Sequence, residues 1–168
     1  MIIRPARPED ADAVAKVHVR AWQAAYRGLL PDEYLASLRA EERARRYTFG
    51  SSDPLAPATL VAVDGTELIG FATTAPARDP DCAGQGELAA LHVDPGAWGR
   101  GVGRALIAAA RAQLVDRGHT GAILWVMVGN SRAEQFYRHD GWLPDGARRT
   151  DQVWGATVDE LRFRRRLP

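Results

Sequence analysis

Leu91-His92-Val93-Asp94-Pro95-Gly96-Ala97-Trp98-Gly99-Arg100-Gly101-Val102-Gly103-Arg104-Ala105-Leu106 is the stretch that decides how this chain folds. It opens as the end of an apolar strand, Glu87 to Val93, and turns at Asp94-Pro95. A glycine-punctuated loop follows, then a helix with Val102, Ala105, Leu106 and Ala109 at the spacing of one buried face. Gly99, Gly101 and Gly103 leave backbone N–H groups uncovered where that helix begins. Free N–H groups at the positive end of a helix dipole favour a phosphate or pyrophosphate, and Arg100 and Arg104 add charge at the rim.

Two common nucleotide loops do not fit. The dinucleotide fingerprint G-x-G-x-x-G places its third glycine on Leu106 when started at Gly101, or on Arg104 when started at Gly99. A P-loop needs Gly-Lys-Ser/Thr, and Lys16 is the only lysine. The pattern that remains, Trp98-Gly99-Arg100-Gly101-Val102-Gly103, resembles the R/Q-x-x-G-x-G/A coenzyme A pyrophosphate loop of the GCN5-related N-acetyltransferase (GNAT) superfamily. Trp98 departs from the usual Gln or Arg. That changes one side-chain contact of a loop that binds mainly through backbone.

A second segment strengthens the resemblance. Asn130, Ala133, Phe136, Tyr137, Gly141 and Trp142 match the family's N-x-x-A-x-x-F/Y-Y-x-x-x-G-F/W run after the fifth strand. The opening Ile3-Arg4-Pro5-Ala6 resembles the family's beginning, and Trp22 to Pro31 resembles a bacterial subgroup. The resemblance covers essentially the whole chain. It implies an α/β fold as a single domain over residues 1–168, a mixed, mostly antiparallel sheet of about seven strands flanked by about four helices.

Along the chain, Ile2-Ile3-Arg4 reads as a first strand. Val14, Val17, His18, Ala21, Trp22 and Ala25 form one stripe of a helix ending near Gly28, with His18 read as a packing residue. A second helix starts at Pro31-Asp32-Glu33. Glu41 to Tyr47 is helix-prone, and its Arg43, Arg45 and Arg46 read as a solvated face. Two β-rich runs around Asp64-Gly65 predict a hairpin. Ala75 to Gly86 reads as a mobile loop, and Thr120 to Val128 as a strand covered on both faces. Ser131 is the expected cap of a short helix through Tyr137. Arg148 to Trp154 reads as a loop, and Val158 to Arg166 as a last strand whose arginines face water.

Composition narrows the function. With 46% hydrophobic and 26% charged residues, the chain has an ordinary globular profile. A net charge of +1 gives no strong pull toward nucleic acid or anionic membrane. The single Cys82 excludes an internal disulfide and a multi-cysteine zinc site. No apolar run approaches the roughly 20 residues of a membrane span, and no secretory signal is present. These features predict a cytoplasmic protein acting without metal, nucleic acid or membrane.

The resemblance implies acetyl transfer from acetyl-CoA to a primary amine of a small molecule or peptide, directly in a ternary complex. It also admits a homodimer. An ammonium must lose a proton before attack, the thioester carbonyl needs an N–H donor, and the leaving thiolate needs an acid. The family pattern puts the donor within Leu91, His92 and Val93, and the acid on Tyr137. The coenzyme would lie on Gly99, Arg100, Gly101, Val102, Gly103, Arg104 and Asn130. One glutamate position used as base in the family is Trp125 here. The other, six residues before Val93, is Glu87. Strand alternation puts His92 on the face opposite Glu87. Trp22, Tyr26 and Arg27, with the loop Arg148 to Trp154, are the expected acceptor contacts. The alternative is a coenzyme-binding sensor or interaction domain without turnover, and Tyr137 and Glu87 argue against it.

Overall fold

Runs of β-branched residues separated by tight turns fold into one seven-stranded sheet, described by a computed structural model of residues 1–168. The strands are β1 (Ile2–Pro5), β2 (Ala58–Asp64), β3 (Glu67–Pro76), β4 (Gly86–Val93), β5 (Gly121–Met127), β6 (Leu143–Val153) and β7 (Ala156–Arg166). Their spatial order is β1-β2-β3-β4-β5-β7-β6, antiparallel except for β4–β5. The helices are α1 (Ala11–Ala25), α2 (Asp32–Ser37), α3 (Ala40–Ala44), α4 (Val102–Asp116) and α5 (Ser131–His139). There are thus five helices where about four were expected. Leu38 turns extended to bury its side chain beside Trp22 and Leu35, which separates α3 from α2.

The helices cover both faces. On one face, α4 lays Leu106, Ile107, Ala110 and Leu114 against Leu88, Leu124 and Phe163. On the other, Val14 and Val17 of α1 meet Val61 and Phe71, while Trp22 meets Leu35 and Val158. No helix is long and apolar enough to cross a membrane.

Two irregularities lie in β4. It pairs with β5 at only two positions, Gly86↔Ala122 and Glu87↔Ile123, after which the parallel strands diverge and open a wedge. Against β3 its register slips, with Thr74 opposite Leu88 but Thr73 opposite Ala90, so Ala89 is an extra residue. Leu88, Leu91 and Val93 therefore all pack on the α4 side. Glu87 and His92 share the α1 side, contrary to the strict alternation expected from the sequence.

Two more expectations change. Arg148 to Val153 is strand, because a long hairpin with β7 continues to the turn at Trp154-Gly155. The segment after β3 is held by Arg162, whose side chain is only 6% exposed, so this arginine does not face water as the alternation suggested. It donates to Asp79 at 2.7 Å, to Asp81 at 2.6 and 2.8 Å, and to Asp145 at 2.8 Å. One buried guanidinium thus ties the β3–β4 connection to β7.

Candidate active site

The wedge between β4 and β5 exposes backbone. The Asp94 N–H donates to the Ile69 carbonyl at 2.9 Å. Since donors alternate sides along an antiparallel ladder, the N–H groups of Leu91 and Val93 face the wedge and that of His92 faces β3. The Val93 carbonyl fits this assignment, accepting the Trp98 indole N–H at 2.9 Å from the wedge side. His92 therefore contributes a side chain to the site and no backbone donor.

The loop beyond β4 turns on Asp94, whose carboxylate accepts the Gly96 N–H at 3.0 Å. Gly99 and Gly101 have φ of 76° and 81°, the left-handed region that side chains disfavour. The first helical donation of α4 is Ala105 N–H to the Gly101 carbonyl at 3.0 Å, so the amides of residues 99 to 104 find no acceptor in the chain. Arg104 lines the cleft beside them. Arg100 does not: its guanidinium pairs with Asp64 at 2.6 Å, which leaves only its backbone amide to the loop. From α5, Arg132 lies over the Trp98 ring at 3.6 Å, which brings a guanidinium beside the residue that departs from the family's Gln or Arg.

Asn130, not Ser131, caps α5, with its side-chain oxygen accepting the Ala133 N–H at 3.2 Å. Trp142 is fully buried and its N–H donates to Asp140 at 3.0 Å, while Asp140 also holds Arg111 at 3.1 Å and Arg165 at 3.3 Å. These contacts fix the end of α5 and with it Tyr137, whose ring lies 5.3 Å from Phe136. The Tyr137 hydroxyl opens on the cleft without a hydrogen-bond partner in the chain. Burial, reinforced by Tyr26, pushes its pKa well above the usual tyrosine range.

The cleft runs from the glycine loop through to the sheet's other side as one cavity of about 590 Å³. Its far walls come from α1 (His18, Trp22, Tyr26), α3 (Arg43), β5 (Trp125) and the β6–β7 hairpin (Arg149, Trp154, Glu160). His92 stacks on His18 with centroids 4.7 Å apart, and His18 Nδ1 lies 2.8 Å from the Tyr47 hydroxyl. Burial lowers His92 to about 4, helped by Arg43, and lowers His18 well below its usual value. Both rings are therefore neutral near pH 7. Glu87 is half-buried and makes no ion pair or hydrogen bond in the chain. Burial raises its pKa, with Arg149 opposing. Tyr26 is raised by burial to about 12.

The structure thus brings Glu87, Tyr137, Trp22 and Tyr26 to one cavity, and leaves Arg27 out of it. Arg27 lies past the end of α1 in an exposed turn. Sequence reasoning missed His18 and Arg43, whereas Trp154 lies in the Arg148 to Trp154 segment expected beside the acceptor. His18 and Trp22 share a helix face, which was signal enough for the first. Arg43 and Tyr47, four residues apart around the buried Ala44, carried a similar signal.

Comparison with known proteins agrees with this geometry. The family model described as the Acetyltransferase (GNAT) family matches residues 19–142. The chain is 30% identical over 128 residues to the uncharacterized N-acetyltransferase YuaI of Bacillus subtilis, covering 76% of this chain and 72% of that protein. The PaiA N-acetyltransferase of Thermoplasma acidophilum, solved in complex with coenzyme A, superposes with a TM-score of 0.72 at 22% identity, covering 98% of both chains. YncA of Salmonella typhimurium, a putative acetyltransferase solved with acetyl-CoA, gives 0.72 at 20% identity over 99% of this chain and 94% of that one.

Proposed function

Because this chain belongs to the GNAT acetyltransferase family, we propose that it works as a single domain that moves an acetyl group from acetyl-CoA to a primary amine of a small molecule or peptide, directly in a ternary complex. The observation that carries this reading is the row of unsatisfied amides at residues 99 to 104, which opens into the same cleft as Glu87 and Tyr137. Those amides, with Arg104 and Arg132, suit a pyrophosphate. Asn130 and the wedge between β4 and β5 line the path onward. The coenzyme supplies a thioester as the activated acyl group.

The remaining chemistry falls to residues of this chain. Glu87 takes the proton from the acceptor ammonium, directly or through one water, and its free carboxylate and raised pKa suit that task. The freed amine attacks the thioester carbon, and the carbonyl oxygen gains charge where the N–H of Leu91 or Val93 can meet it. The C–S bond breaks as the C–N bond forms. Tyr137, kept protonated by its raised pKa, donates its proton to the departing thiolate and is reprotonated by the second proton that the new amide nitrogen sheds. The absence of a membrane-length helix and the near-neutral charge accord with action in the cytoplasm.

Coenzyme A should raise the melting temperature by mass action. Gly101→Glu should abolish that rise, since it puts a side chain and a like charge into the left-handed turn beneath the amides. Free thiol should appear when acetyl-CoA is mixed with a panel of amines. No thermal shift in the parent protein at saturating coenzyme would overturn the assignment. A shift without acetylation of any amine would assign the sensor reading instead.

A further inference from the structure

Resting on that acetyl-transfer reading, we infer that Arg43 selects acceptor amines that also carry an anionic oxygen group, a carboxylate first of all. Four arginines line the cavity: Arg43, Arg104, Arg132 and Arg149. Arg104 and Arg132 stand at the pyrophosphate loop. Arg149 is neutralised by Glu160 at 3.2 Å and Asp151 at 3.4 Å. Arg43 has no carboxylate within ion-pair distance; the Tyr47 hydroxyl is its polar neighbour, and its Nε is buried without a partner. Glu41 and Glu42 on the same helix are exposed and form no pair with it.

What holds Arg43 is aromatic. Its guanidinium carbon lies 5.1 Å from the Trp154 ring and 5.5 Å from the Tyr47 ring. Ring faces stabilise the cation, and apart from the Tyr47 hydroxyl its N–H edges meet no acceptor, so the planar fork can still receive a carboxylate. The nearby imidazoles of His18 and His92 carry no positive charge to compete with Arg43. A half-buried guanidinium with no carboxylate partner stands to gain a charge-assisted pair from a bound carboxylate.

The opposite charge lies elsewhere in the same cavity. Glu87 and Glu160 line it on the side that Arg149 serves, and Glu87 accepts the ammonium in the proposed reaction. The cavity is therefore acidic where the amine reacts and basic at Arg43, a layout complementary to an amino acid or another small zwitterion. Its volume of about 590 Å³ must also admit the acyl-bearing end of the coenzyme, which keeps the acceptor small.

The test uses matched pairs: free L-amino acids against their amides, and aminoalkyl phosphonates against the corresponding amino carboxylates. Amidation lowers the pKa of the neighbouring ammonium, so intrinsic reactivity opposes the predicted preference. The parent protein should favour the acid over the amide by about 10²-fold in kcat/KM, chiefly through KM. Arg43→Gln should bring that ratio close to one, and Arg43→Lys should restore part of it. A retained coenzyme-induced thermal shift would show that each variant folds. A parent ratio near or below one for every pair, or equal losses for acid and amide in Arg43→Gln, overturns the inference while leaving acetyl transfer intact. A phosphonate preferred to its carboxylate would assign a phosphate-bearing amine. If no amine of any set is acetylated, the acetyl-transfer reading fails. Arg43 is then judged by whether acids, and not amides, raise the melting temperature of the coenzyme-saturated protein, and no difference overturns it.

Discussion

Replacing Arg162 by methionine removes one charge and strands another. The arginine side chain is 6% exposed, and its partners Asp79 and Asp145 are 15% and 17% exposed; Asp79 would stay partly desolvated without a counter-ion, while Asp145 would keep only Arg164 at 3.2 Å. Breaking a fully buried pair costs about 3–5 kcal/mol. Asp79 and Asp145 keep some contact with water, which points to the lower end, about 3 kcal/mol, and Asp81 at 62% exposure adds little. For a chain of this size that is a fall of about 6–12 °C in melting temperature. The effect should depend on pH with a definite sign. Hydrogen bonds from Arg162 hold Asp81 below the usual carboxylate range. At Asp145, burial pushes upward, but the Ala147 N–H, Arg162 and Arg164 prevail. Lowered carboxyl pKa values give stability that is present above the ordinary aspartate value of about 4 and is lost as pH falls through the folded-state values. Melting curves of the parent and Arg162→Met should therefore differ most near pH 7 and converge in acid. Equal melting temperatures at pH 7, or a gap that does not narrow in acid, would refute the clamp. The β3–β4 connection leads directly into Glu87, so the variant should also lose kcat/KM.

Two further substitutions separate the catalytic assignments. Tyr137→Phe keeps the ring beside Phe136 and removes the hydroxyl, so the coenzyme-induced thermal shift should survive while kcat falls about 10²-fold or more; an unchanged kcat would leave Tyr137 a packing residue. The ascending limb of kcat/KM against pH should lie above the usual glutamate value of about 4.3, because burial raises Glu87. Glu87→Gln should remove that limb, whereas His92→Gln should leave it, since His92 sheds its proton near 4 and is neutral throughout the working range. The opposite pattern would make His92 the base.

Legibility followed the range of the interactions. The glycine loop and the start of α4 are local, written in consecutive residues whose left-handed turns only glycine takes without strain, and the sequence was enough to place them. The same holds for Asn130 to Trp142, where Asn130, Tyr137 and the buried Trp142 are set by one short helix and its stop. Arg162 and Arg43 were read as solvated because charge is normally at the surface. Their burial depends on partners far along the chain, Asp79, Asp81 and Asp145 for one, Trp154 for the other. No spacing rule reaches across such separations.

The relation between Glu87 and His92 failed for a subtler reason. Alternation along a strand is reliable until one residue is inserted, and Ala89 is that insertion. Nothing in Glu87-Leu88-Ala89-Ala90 marks the bulge, since alanine is tolerated on either face. Its consequence is chemical: the extra residue keeps Leu88, Leu91 and Val93 on the α4 side while turning Glu87 to the side of His18 and His92. An unbulged strand would carry the carboxylate into the α4 core, away from the cavity where an amine can reach it. The same strand parts from β5 after Glu87, which frees the Leu91 and Val93 amides. The proposed proton acceptor and the proposed oxyanion donors thus come from one strand, presented in different directions by two departures from regular pairing.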